Sequence, residues 1–433
     1  MYHFVGIKGS GMSALAQIMH KLGYKVEGSD IEKHFFTEEG LHELGIKVMP
    51  FNADNINKEM KIIKGAAFTD DNVEIKKALE LGIPIYTYAE MVGKLTNKFK
   101  TISVCGCHGK TTVSSMLSHT LGEIVGTNYL IGDGSGDADI SNEFFVLESC
   151  EYRRHFLHYN PYYTVITNID LDHVDYFKNI DDVIDAYKEF ANKTSKMVIA
   201  CGDDQYTHSL DIDKPIFYYG LDDDNDIIAK NVEYKDTGVS FEVYIEDNYY
   251  GFYDLPFYGK HNLLNALAVI AICYYERIDT KEVNRVLKTF KGAKRRFQES
   301  FIGDNVVIDD YAHHPNEIKA TIKAAKQKYP NKKIISIFQP HTFTRTKEFI
   351  DDYVKVLSLA DEAYLLDIHP AREKQEDYPD VTSDLIIKKL ENGHKLNMDD
   401  GEIFKDYKNS VLLFMSPNDI SKLEEDVKKS LSN

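Results

Sequence analysis

Apolar and polar positions along this chain keep returning to one rhythm: a short apolar run, a glycine-bearing turn, then apolar residues at helical spacing. The rhythm is clear in YHFVGIKGSGMSALAQIMHKLG from Tyr2 and in TISVCGCHGKTTVSSMLSHTLG from Thr101, and weaker in KIISIFQPHTFTRTKEFIDDYVKVL from Lys333. The apolar runs read as buried strands and the periodic stretches as helices, so the series predicts an α/β fold with largely parallel sheets. Starts spread this widely predict three separate sheets, and 433 residues suit about three domains. NKFK at 97–100 and the basic FKGAKRRFQES at 290–300 place the boundaries near 97 and 293, giving domains 1–97, 98–292 and 293–433. Between 216 and 258 the pattern turns to strand alternation (VSFEVYIEDNYYGFYDLPFYG), which predicts an antiparallel insert in the middle domain.

Composition narrows the function classes. Hydrophobic residues are 43% and charged residues 28%, the balance of an ordinary globular protein, and the net charge of −18 argues against nucleic acid or an anionic membrane as a partner. A few clustered basic residues still suffice for anionic small substrates. The five cysteines form no CxxC pair, which fits a reducing cytoplasm. MYHFVGIKGSGM lacks a charged leader followed by a long apolar stretch, so no signal peptide is expected, and the longest apolar run, 266–275, is too short to span a bilayer.

The turns carry the chemistry. In GIKGSGM, Gly6 and Gly11 flank Ser10 between a strand and a helix, where backbone N–H groups can approach a pyrophosphate. Asp30 ends the next strand, where a ribose hydroxyl would be accepted. A plain tight turn is the equal alternative for this stretch. VCGCHGKTT is a stronger signal. The common phosphate loop GxxxxGK[ST] would need glycine where this chain has Val104. The turn is therefore a tighter one, starting at Gly106 and running through Cys107, His108 and Gly109. Lys110 can reach terminal phosphates, and Thr111 or Thr112 can offer a hydroxyl to Mg²⁺.

Carboxylates follow where a Mg²⁺–nucleotide site needs them. EFFVLESCEYRRHF ends in Glu148 and Glu151, and YTVITNIDLDHVDYF ends in Asn168, Asp170, Asp172, His173 and Asp175. His173 suits a metal ligand, a general base or a cap. In GKHNLLNALAVIAI, Asn262 and Asn265 lie three apart on one helical face, to cap the helix or to meet a base edge. Arg295 and Arg296 suit a solvated patch or bidentate anion contacts. IDDYAHHPNEI sets Asp309, Asp310, His313 and His314 at a strand end with Pro315 opening a helix. FQPHTFTRT carries His341 and Arg345 on another strand-to-helix loop.

Taken in order, GIKGSGM, GCHGKTT, LESCEYRRHF, TNIDLDHVDYF, GKHNLLNA, KRRFQE, DDYAHHPNEI and FQPHTFTRT resemble the motifs of the Mur ligases over essentially the whole chain. The resemblance is greatest to the branch that joins L-alanine to UDP-N-acetylmuramic acid in peptidoglycan precursor synthesis. It implies an N-terminal Rossmann-like domain for UDP, a central P-loop ATPase-like domain and a C-terminal Rossmann-like domain. It also implies ATP and Mg²⁺, an acyl-phosphate intermediate, a cytoplasmic location, and a monomer or homodimer without nucleic-acid or membrane partners.

By this resemblance Gly106, Cys107, His108, Gly109, Lys110, Thr111 and Thr112 hold the ATP phosphates, and Thr111, Glu148 and His173 the Mg²⁺. Lys110, Glu148 and His173 form the catalytic set. Asn262 and Asn265 reach the adenine, Arg296 the phosphates and Asp310 the ribose. Gly6, Ser10, Gly11 and Asp30 bind the UDP portion, with His314, His341 and Arg345 toward the rest of the substrate. The chain departs from the pattern at Cys107, at Thr342 (arginine in many members) and at LLFMSPNDI, where Ser416 and Pro417 stiffen a small loop. A murein-peptide ligase that recycles tripeptide shares nearly all these motifs. A NAD(P)-dependent oxidoreductase would leave GCHGKTT without a role, and a non-catalytic nucleotide binder would not need Lys110, Glu148 and His173 together.

Overall fold

The computed structural model describes residues 1–35 and 37–432. Its strands fall into three sheets, and the chain divides into two compact units. The first unit is Met1–Asp170, Ile180–Ile227 and Ala268–Leu287; the second is Leu171–Asn179, Ile228–Leu267 and Lys288–Asn433.

The first unit begins with β1 (Tyr2–Val5), β2 (Val26–Asp30), β3 (Lys47–Pro50), β4 (Lys61–Lys64) and β5 (Ile85–Thr87), in the order β3-β2-β1-β4-β5. All four pairings are parallel. Strand order reverses beside β1, so the turn GIKGSGM opens at the switch point where such sheets receive ligands. The helix Ser10–Lys21 follows at once.

Next come β6 (Lys100–Cys105), β7 (Thr127–Leu130), β8 (Gly136–Asp137), β9 (Phe144–Glu148), β10 (Tyr163–Ile166), β11 (Met197–Cys201) and β12 (Ile216–Gly220). Within this unit they run in the order β12-β11-β10-β6-β9-β7-β8. The pairings are parallel except β7 with β8. Because β6 lies between β9 and β10, its loop opens between the carboxyl ends of the two acid-bearing strands. The alternation expected from 216 begins later than expected: β12 is parallel to β11 and belongs with the sheet.

In the second unit, β13 (Ile227–Lys235), β14 (Gly238–Ile245) and β15 (Asn248–Leu255) form the insert, with β14 and β15 antiparallel. The C-terminal strands are β16 (Gln298–Ile302), β17 (Asn305–Asp310), β18 (Lys333–Phe338), β19 (Glu362–Leu365), β20 (Gly393–Lys395) and β21 (Ser410–Met415), ordered β16-β17-β21-β18-β19-β20. Only β16 is antiparallel to its neighbour. Val306, Ile308, Leu413 and Met415 enter one core, and Val307, Leu412 and Phe414 enter another on the opposite face. Both faces are covered, which is why these strands read as unbroken apolar runs.

The helical stretch after β18 differs from expectation. It is two helices, Phe343–Glu348 and Ile350–Leu357, broken at Phe349. Among the described residues no helix is long and apolar enough to cross a membrane.

Candidate active site

The loop after β6 is held from β10. Gly106 has φ +136°, and a Cβ there would lie 2.0 Å from Thr167 Oγ1, so only glycine fits. His108 N–H donates to Asn168 Oδ1 at 2.9 Å, and Asn168 Nδ2 donates back to the His108 carbonyl at 2.9 Å. Cys107 turns its thiol to the Asp170 backbone, with Sγ 3.0 Å from O and 3.1 Å from N. The departure at position 107 thus fastens the loop. His108 Nε2 lies 3.4 Å from Asp170 Oδ2.

Gly109 precedes the helix Lys110–Ile124, whose first residues carry the two functional side chains. Lys110 Nζ donates to the carbonyls of Gly106 and Cys107 and sits 3.2 and 3.1 Å from the oxygens of Glu151. Burial works against this charge, but the Glu151 carboxylate prevails and holds the Lys110 pKa above its usual value. Thr111 Oγ1 donates to Glu148 Oε1 at 3.0 Å, while Gly132 N–H donates to Glu148 Oε2 at 2.8 Å. A hydroxyl and a carboxylate oxygen side by side beneath a phosphate loop are hard donors of the kind Mg²⁺ takes. These residues fit the ion. Thr112, one turn-step further, is partly exposed.

In the same unit the turn after β1 is secured by Asp30, which accepts from Lys8 N–H at 2.8 Å. Lys8 itself is spent on the carbonyls of Ile31 and Lys33 and on Glu38 at 2.9 Å. Gly6 lies against the Phe68 ring and Gly11 against the ring and hydroxyl of Tyr88. Ser10 opens the helix and is exposed.

The second unit gathers the remaining candidates. His173, at φ 51°, lies beyond β10 in the segment Leu171–Asn179, next to Asp172. Asp172 accepts from Arg345 Nη2 at 2.6 Å and Nε at 3.2 Å, and both side chains are 8% exposed. Burial alone would raise the Asp172 pKa, yet the guanidinium holds it well below the usual carboxylate range. Arg345 Nη1 also lies 3.1 Å from His341 Nδ1. His341 stacks on His369 with ring centres 5.8 Å apart, a neighbour that the sequence reading did not single out. Thr342 caps the helix Phe343–Glu348 through its hydroxyl at φ 63°, which accounts for a small residue at this departure from the pattern.

Asn265 Nδ2 donates to Asn262 Oδ1 at 3.2 Å in the first turns of the helix Lys260–Tyr275. Arg296 stacks over Tyr311 at 4.9 Å and lies 3.9 Å from Glu317. Arg295 is no solvated patch: it pairs with Asp309 and donates to the carbonyls of Ser416, Pro417 and Asn418. This clasp immobilises the SPN loop. Asp310 is turned inward, accepting from Phe297 N–H and Ala312 N–H, and burial pushes its pKa up to about 6. His314 caps the helix Pro315–Lys328, whose first residue is the expected proline.

Three family models match the chain in series: "Mur ligase family, catalytic domain" over residues 1–100, "Mur ligase middle domain" over 104–273, and "Mur ligase, glutamate ligase domain" over 295–418. The chain is 49% identical over 427 residues to UDP-N-acetylmuramate–L-alanine ligase of Lactiplantibacillus plantarum, covering 98% of this chain and 97% of that protein. It is 48% identical over 433 residues to the enzyme of the same name from Ligilactobacillus salivarius, covering 100% and 97%. The crystal structure of UDP-N-acetylmuramate–alanine ligase from Thermotoga maritima superposes with a TM-score of 0.79 at 28% identity, covering 100% of this chain and 99% of that one.

Proposed function

The chain belongs to the Mur ligase family, and from that membership we propose an ATP-dependent ligase that joins L-alanine to the lactyl carboxylate of UDP-N-acetylmuramic acid. The single observation that carries the choice is near-half identity over the full chain to two ligases of that specificity, which favours alanine over recycled tripeptide. An oxidoreductase reading leaves the Lys110–Glu151 and Thr111–Glu148 pairs without work.

The lactyl carboxylate oxygen attacks the γ-phosphorus of ATP; the bond to the bridging oxygen breaks and ADP departs, leaving an acyl phosphate. The alanine nitrogen then attacks the acyl carbon, loses a proton, and phosphate is expelled as the amide forms. Such chemistry asks the protein for positioning and charge neutralisation more than for a nucleophile. Lys110 supplies a cation at the loop, and the N–H groups of a loop stapled by Asn168 supply fixed dipoles. Mg²⁺, held by Thr111 and Glu148, would neutralise phosphate charge when bound. In this reading His173 is a metal ligand, and Asn262, Asn265 and Arg296 serve the nucleotide. Asp310, whose carboxylate accepts from Phe297 N–H and Ala312 N–H, serves the ribose. Gly6, Ser10, Gly11 and Asp30 serve the UDP portion, and Arg345 with His341 the muramoyl and alanine end.

Phosphate release from ATP tests the assignment. Release is expected only with both UDP-N-acetylmuramic acid and L-alanine present. Release that needs tripeptide in place of alanine would overturn it.

A further inference from the structure

A short loop that no motif singled out lies between the two phosphate-binding turns of the first unit. Residues 131–135, IGDGS, close tightly: Ile131 N–H donates to the Ser135 carbonyl at 2.9 Å, and Gly134 N–H to the Ile131 carbonyl at 3.1 Å. On one side Gly132 N–H holds Glu148 Oε2 at 2.8 Å, and a Cβ at Gly132 would lie 2.6 to 2.9 Å from all three carboxyl atoms of Glu148. On the other side a Cβ at Gly134 would lie 3.2 Å from Ser10 Cβ. The strand that follows continues along the same helix. A Cβ at Gly136 would lie 2.9 Å from Ile18 Cδ1, and Lys21 Nζ meets Asp137 Oδ1 at 2.6 Å. The segment therefore docks on the helix Ser10–Lys21 from its first turn to its last, with its near end gripping Glu148.

We propose that this loop is a positioning element of the ligase, spacing the Glu148 carboxylate from the first turn of the helix that receives the sugar nucleotide. The inference rests on the ligase reading above. In that reaction one substrate carries both the diphosphate held by the turn after β1 and the carboxylate that must meet the γ-phosphate. The gap between the two sites thus enters the reaction geometry, and a misplacement of about 1 Å costs on the order of 10²-fold in rate. At 132 an added methyl would press on the Glu148 carboxylate and on no backbone atom among its nearest contacts. Relief of an added methyl needs only the far end of Glu148 to move, so the fold survives while the metal-side oxygen is displaced.

The experiment uses the full chain. Gly132→Ala is expected to lower kcat about 10–100-fold and to raise the Mg²⁺ concentration needed for ADP binding. Its Kd for UDP-N-acetylmuramic acid and its Tm should stay near those of the unaltered chain. Adding Glu148→Asp, one methylene shorter, should recover part of the loss. Gly134→Ala should raise the Kd for the sugar nucleotide and leave Mg²⁺–ADP binding unchanged. Gly45→Ala, at φ +68° with nothing within 4 Å, controls for backbone strain alone. Unchanged kcat and Mg²⁺ dependence in Gly132→Ala, or parallel losses of both ligands with a lowered Tm, would overturn the proposal. A chain that binds no UDP-N-acetylmuramic acid, even unaltered, would instead sink the ligase reading, and this inference with it.

Discussion

Lys110 Nζ lies 3.2 and 3.1 Å from the two carboxylate oxygens of Glu151, a side chain only 1% exposed. The lysine that a phosphate would claim is already aligned by a buried anion at the foot of its loop. Lys110→Ala removes that cation and should lower turnover by about 10²–10³-fold with the fold intact. Steady-state ATP turnover beside a thermal melt checks this; near-normal turnover would place the ATP site elsewhere.

Glu151→Gln keeps shape and removes the charge. Lys110 then loses its orienting partner while the site becomes less negative toward ATP. We expect kcat to fall about 10–100-fold with KM for ATP unchanged or lower. A raised KM with unchanged kcat would show that Glu151 acts on binding instead.

Thr111 and Glu148 are expected to act as one unit on the metal. Thr111→Val and Glu148→Gln should each raise the Mg²⁺ requirement of the reaction at least tenfold, on the order seen for altered metal surroundings. The double variant should be little worse than the poorer single one, since both remove the same site. Additive losses would mean that the two side chains serve different groups.

Arg345 and Asp172 are both nearly buried, so removing one strands the other. Arg345→Met should cost about 3–5 kcal/mol of stability, whereas Arg345→Met with Asp172→Leu should recover most of it. Chemical denaturation of the three chains measures this. Activity is not expected to return with stability, because His341 loses its guanidinium neighbour in both variants.

Acid should loosen the second unit. Burial pushes His261, His313 and His341 down to about 4, 3 and 4 from an ordinary value near 6.5. A histidine whose folded pKa is depressed is neutral in the fold and protonated more readily when unfolded. Its contribution is present above pH 6.5 and is lost as pH falls toward 4. The Tm should drop over that window, and His313→Gln should flatten the slope. Asp310 has the opposite sign. Its folded pKa of about 6 lies above the unfolded value, so its contribution is full at low pH and is lost as pH rises through 6. Asp310→Asn should remove that opposing trend.

Much of the site was legible because its signals are local. A glycine turn between a strand and a helix is a local signal, and Lys110 and Thr111 open the helix that follows it, while Glu148 ends β9. Glu151 and Asp172 were visible as acids at strand ends but not as partners of Lys110 and Arg345; the second pair is 173 residues apart in sequence. Asp30 and Asp310 were legible as acids at strand ends, but not that their oxygens accept from the backbone N–H groups of Lys8, Phe297 and Ala312, donors that burial requires to be satisfied. The loop at 131–135 gave no signal at all, since two contacts with distant side chains set its glycines apart.

The sequence by itself determined the α/β rhythm, the three sheets, the antiparallel insert and the residue types at each loop. Periodicity, glycine and proline act within a few residues of themselves, so those features are written locally. Only the tertiary structure decided which charges neutralise one another and which backbone reaches which carboxylate. Setting β6 between β9 and β10 brings Thr111 to Glu148 and the Asn168 staple to the loop. Docking residues 131–137 on the helix Ser10–Lys21 then joins that site to the turn after β1. Strand order is a property of the whole sheet, and no single stretch encodes it.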